Sequence, residues 1–141
     1  MKTIVAVLLS LLIPSLSFAE SFSVNKVCNT SPALKLTSVE VTEDETIISF
    51  TYDWTHKEAA ERLRIWPPGH DKSFFITDIR KTNKYLLLDV EGASIAPNWS
   101  KPNSFTLIFE KIPDNLKRFH LVEGNLMASG AWNFVNVKLK K

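Results

Sequence analysis

Ser104-Phe-Thr-Leu-Ile-Phe109, Arg118-Phe-His-Leu-Val122 and Ala131-Trp-Asn-Phe-Val-Asn-Val-Lys-Leu139 form the stretch that decides the fold class. In its first segment Phe105, Leu107 and Phe109 alternate with Thr106, Ile108 and Glu110, the period of two that a half-buried strand requires. Turn residues separate the segments: Ile112-Pro-Asp-Asn115, then Glu123-Gly-Asn125, with Gly130 before the last. The pattern predicts three hairpin-linked strands of one sheet. No catalytic chemistry lies in them.

Upstream the same period recurs. Ala33–Thr42 has Leu34 and Leu36 on one parity and Val39 and Val41 on the other, which predicts a bulge near Thr37-Ser38. After the acidic turn Glu43-Asp-Glu45, the strand Thr46–Trp54 sets Ile48, Phe50, Tyr52 and Trp54 against Ser49, Thr51 and Asp53. Thr55-His-Lys-Glu58 fits a capping box and Glu58–Leu63 is built of helix formers, so a short helical turn is expected over 55–64, crossing between sheets. Ile65-Trp66 is extended again, and Pro67-Pro68-Gly69 stops it. Ser73–Asp78 and Tyr85–Val90 are two more strands, and 91–102 is a loop broken by Gly92, Pro97 and Pro102. Seven or eight short strands at this spacing predict an all-β fold. The expected form is an immunoglobulin-like antiparallel β-sandwich with one short helical turn. A closed barrel is the alternative.

The start of the chain speaks to compartment. Met1-Lys2 is followed by an apolar run to Ile13, then Pro14 and Ser15-Leu-Ser-Phe-Ala19, with Ser17 and Ala19 where a signal peptidase reads. The order predicts a signal peptide over 1–19, a polar lead segment over 20–32 and one β-sandwich domain over 33–141. The apolar run falls short of the roughly 20 residues that span a bilayer, so no transmembrane segment is expected after cleavage. An extracytoplasmic location, periplasmic or secreted, follows. Cys28 is the single cysteine, so no internal disulfide can form. Cleavage removes one of 17 basic residues and none of 15 acidic ones, leaving +1. That balance gives no reason to expect nucleic acid as partner.

The order Ile65-Trp66-Pro-Pro, Phe74-Phe-Ile-Thr-Asp78, Tyr85-Leu-Leu-Leu88 with Glu91-Gly92, Trp99, Phe105–Phe109 and Leu121-Val-Glu-Gly124 with Trp132 resembles a family of secreted domains. These are common in Bacteroidetes-type bacteria and have no characterised function. The resemblance covers about Leu36 to Leu139 and departs from the family's pattern at Lys57–Arg64. It implies an immunoglobulin-like sandwich and an envelope location. It implies no activity.

The chain holds no Gly-x-Ser-x-Gly, His-Glu-x-x-His or phosphate-loop motif. Strand parity, with a helical turn crossing between sheets, places the loops at 43–45, 67–72, 91–102 and 124–130 at one end and those at 55–62, 79–83 and 111–117 at the other. His56 and His70 should then lie roughly 15–20 Å apart, a strand length, with His120 mid-strand. No metal, cofactor or catalytic residue is predicted. Trp54 and Trp132 fall in strand register as core anchors. Trp66 and Trp99 fall at the same loop end, either as a ligand rim or as a plug under the 91–102 loop. With His70 and Asp71 they are the candidate ligand-binding residues. The expectation is a non-enzymatic binding or accessory module for another envelope protein or a glycan, with edge-strand addition as the commonest physical route. The alternatives are a self-associating structural envelope component, or a hydrolase or metal-binding protein using the 67–72 loop.

Overall fold

A computed structural model describes residues 19–26, 31–124 and 131–140. Eight strands run β1 (Ala19–Lys26), β2 (Leu34–Val41), β3 (Glu45–Tyr52), β4 (Phe74–Asp78), β5 (Lys84–Glu91), β6 (Ser104–Glu110), β7 (Arg118–Glu123) and β8 (Asn133–Lys140). All pairings are antiparallel, and their order is β1-β2-β3-β6-β5-β4-β7-β8, with β8 back on β1. The ladder closes into a barrel. Two strands act as corners: β1 pairs with β2 through Ala19 and Glu20 before turning onto β8, and β5 pairs with β4 up to Leu86 and with β6 from Leu87 on, across a register shift between Leu87 and Asp89.

Several expectations change here. The strands are antiparallel, but they do not form the separate sheets of an immunoglobulin-like sandwich, because hydrogen bonding continues around both corners. Residues 20–32 are more than a polar lead: β1 arises from them and supplies one of the corners. The signal segment 1–18 and Cys28 lie outside the described residues. β6 and β7 are not a hairpin. β6 sits between β3 and β5 while β7 sits between β4 and β8, so residues 111–117 cross one end of the barrel. Ile112 makes that crossing pay, since it is 1% exposed and its amide donates to the buried Thr46 hydroxyl at 3.0 Å.

The helical turn over 55–64 is absent, for a local reason. The Asp53 carboxylate accepts from the Thr55 amide and hydroxyl, and His56 Nδ1 accepts from the Glu58 amide. These side-chain bonds offer the backbone turns in place of a helix ladder. The Tyr52 hydroxyl then accepts from the Ala60 amide at 2.8 Å and holds the turns against the barrel. The segment 53–73 therefore stays at one end, the end that also carries 92–103. His56 and His70 share that end, contrary to the expected separation, and 42–44 lies at the other. All four tryptophans, at 54, 66, 99 and 132, are there too.

The core follows the period of two. Phe50 stacks on Phe105 at 5.1 Å and meets Phe134 at 5.7 Å, and Ile48, Leu107, Phe109, Phe119, Leu121 and Val137 are among the other buried residues of the same core. The bulge predicted near Thr37-Ser38 is present as a register shift between Leu36 and Ser38. Trp132 is not a central anchor. It precedes β8 and is half-buried at the loop end, near Tyr52 and Phe74, while Phe134 takes the central place. Trp54 is half-buried as well, packed on Tyr52 with its indole N–H donating to the Pro102 carbonyl at 2.8 Å.

Candidate functional site

Arg62-Leu-Arg-Ile-Trp66 is a short extended strip laid across the 92–103 loop. Leu63 and Ser100 exchange backbone hydrogen bonds at 2.9 Å, the Ile65 amide donates to Ser94 O, and the Ala96 amide donates to Ile65 O. Extended backbone sends alternate side chains to opposite faces. Leu63 and Ile65 go inward, 3% and 0% exposed, and plug the end of the barrel. Arg62, Arg64 and Trp66 go outward. The plug expected of Trp66 is supplied by its neighbours.

On the outer side, Trp99 from the opposing loop is 42% exposed. The guanidinium carbon of Arg62 lies 4.5 Å from its ring centre and that of Arg64 lies 4.2 Å from it. Arg64 also lies 4.8 Å from the Trp66 ring, so one guanidinium bridges the two indoles. His70 stacks on Trp66 at 4.5 Å and 17°, and the Lys72 ammonium lies 5.2 Å from the same ring. The turn through Gly69, at φ +85°, folds the chain back to make this stack, with the His70 amide donating to Pro67 O. Each cation–π contact contributes about 0.5–1 kcal/mol at an exposed site, enough to orient the cations without neutralising them. Among the described residues, neither guanidinium makes an ion pair.

Of the four residues singled out from sequence, Trp66, Trp99 and His70 are thus joined in one cluster, Trp66 and Trp99 through Arg64. Asp71 touches the cluster at its margin. Its carboxylate lies 3.0 Å from His70 Nδ1, the atom that also accepts from the Lys72 amide at 3.0 Å. One nitrogen cannot accept from the Lys72 amide and donate to Asp71 at once, so the two contacts compete for Nδ1. The sequence reading missed Arg62 and Arg64 because helix formers around them masked the alternation Arg-Leu-Arg-Ile-Trp.

Beside the cluster is a recess of about 260 Å³ lined by Arg64, Trp66, Pro67, His70, Ala96 and Pro97. Its lining is almost wholly apolar, made by Trp66, Pro67, Ala96 and Pro97 with the carbon portions of Arg64 and His70. Such a place can seat a flat apolar surface that carries a negative or polar group.

Glu123 is the other unusual group at this end. It continues the inward parity of Phe119 and Leu121, and its Oε1 accepts from the Trp132 amide at 3.3 Å. Burial pushes its carboxyl up to about 7, against the smaller opposing effect of that hydrogen bond. His120 is shifted the other way, its imidazole lowered by burial, with Lys81 adding to the effect; Nδ1 accepts from the Asn136 amide. Among the described residues no three of His, Cys, Asp and Glu come together as a metal-holding group.

Comparison with protein-family models, curated proteins and solved structures finds no match to this chain.

Proposed function

We propose that this chain is an extracytoplasmic, non-enzymatic binding module whose ligand sits on the Trp66–Trp99 end of the barrel. One observation carries the reading: Trp99 stays 42% exposed while two guanidinium groups without ion-pair partners among the described residues are stacked against it. What sets Trp99 apart from the exposed Leu86 and Leu88 is that two cations lie against its ring. Aromatic and arginine side chains held in fixed positions are what binding hot spots are made of. Export rests on the order of charge, apolar run and Ser-x-Ala in residues 1–19, and an envelope setting is also what the sequence resemblance implies.

The barrel argues against the route first expected for such a module. Strand addition needs a long unpaired edge, and among the described residues the ladder closes and leaves only short unpaired stretches at the corners, where β1 meets β2 through Ala19 and Glu20 and β4 meets β5 over Phe75–Thr77. Side chains at the loop end must do the work.

A glycan array probed with purified protein tests the reading. Binding that is lost in both Trp66→Ala and Trp99→Ala, with unchanged far-UV circular dichroism, is expected. Binding untouched by either substitution would overturn it. N-terminal sequencing of exported protein should find Glu20 first, a cut that removes the Ala19–Glu40 pair and leaves Glu20–Val39 to join β1 to β2; retained Met1 would refute the location.

A further inference from the structure

We infer that the ligand is an acidic glycan, with one carboxylate-bearing sugar ring seated in the recess between Trp66 and Pro97. The inference rests on the binding reading above and names its chemistry. The recess, at about 260 Å³, lies just below the usual range of small-ligand sites, about 300–1,000 Å³. It suits one ring of a chain better than a drug-sized molecule.

Three features select the class. First, the lining offers flat apolar faces from Trp66, Pro67 and Pro97, and a sugar ring presents a flat C–H face with polar groups around its edge. An Asp or Glu side chain of a peptide has too little apolar surface to cover those faces. Second, Arg64 stands at the recess wall with its guanidinium stacked between two indoles. Stacking on an aromatic face leaves the N–H fork free, and that fork matches a carboxylate in a bidentate manner. Third, Arg62 stacks on Trp99 outside the recess and adds a second positive charge at this end, which a ligand with more than one acidic unit would answer. A neutral glycan would use the indoles and leave both guanidinium groups unanswered.

The test uses the mature protein with three soluble probes: oligogalacturonate, neutral galacto-oligosaccharide and polyglutamate, each by isothermal titration calorimetry. Oligogalacturonate should bind and weaken at least about tenfold in Arg64→Gln, the loss of one charge-assisted contact. Arg64→Lys, which keeps the charge and loses the fork, should also weaken it. Thermal melts of both variants confirm that they fold. Polyglutamate binding as tightly as oligogalacturonate would overturn the sugar assignment. Galacto-oligosaccharide binding that vanishes in Trp66→Ala but ignores Arg64→Gln would overturn the acidic assignment and leave the binding site standing. Failure of wild-type protein to bind oligogalacturonate at millimolar concentration would overturn the inference itself.

Discussion

Glu123→Gln should make the fold less sensitive to alkali. In the folded chain burial raises the Glu123 carboxyl from 4.5 to about 7, so the native state holds a proton that the unfolded chain has released. The unfolded state then binds fewer protons between those two values, and stability falls as pH rises through that window. It is full below about 4.5 and lost above about 7. A shift of this size corresponds to about 3 kcal/mol at 1.36 kcal/mol per unit. Because the side chain is half-buried at the mouth rather than sealed in the core, about 2–3 kcal/mol is the figure to expect. Glutamine keeps the shape and an oxygen that can accept from the Trp132 amide, with no charge to desolvate. Urea melts of wild type and variant at pH 4.5, 5.5, 7 and 8.5 should converge at the acid end and separate at the alkaline end, the variant being the more stable. His120 contributes the opposite slope below 6.5, because its depressed imidazole resists the proton that the unfolded chain accepts. That slope is common to both proteins and cancels in the difference. A difference that does not grow with pH would refute the account of Glu123.

Phe134→Ala, buried against Phe50, should cost about 3–5 kcal/mol in denaturant melts, and Trp132→Ala, half-buried at the rim, should cost clearly less. The reverse order would put Trp132 back in the core. Gly92→Ala should destabilise by about 1–3 kcal/mol, because φ is +83° and a Cβ would stand 3.2 Å from Ser104 O and 3.3 Å from Phe105 Cα. A neutral effect in a thermal melt would contradict the backbone given for this turn.

The alternation in β2, β3 and β6 was legible in sequence, and so were the bulge at Leu36/Ser38 and the shared end of Trp66 and Trp99. Local pattern carries that information. It carries little about which strands become neighbours, and the β6–β7 hairpin was misread for that reason: Pro113-Asp-Asn115 suits a tight turn and a crossing equally well. β1 was missed because Ala19–Lys26 has apolar Phe22 and Val24 amid polar residues, weak alternation whose partner strand is at the other end of the chain. Closure was hidden for the same reason. At the site, the aromatic residues stood out by type and by their proline neighbours. The arginines did not, since Glu58–Leu63 favours a helix that only the tertiary turns around Asp53 and Tyr52 override.

Residues 62–66 have two faces, Leu63 and Ile65 inward as a plug and Arg62, Arg64 and Trp66 outward as the proposed binding surface. Paired urea melts of Ile65→Ala and Arg64→Ala test this division most directly. Ile65, 0% exposed, should cost about 2–5 kcal/mol when emptied. Arg64, stacked outside on two indoles, should cost no more than about 1–2 kcal/mol for its two cation–π contacts. Equal losses, or an Ile65 variant as stable as wild type, would contradict the account.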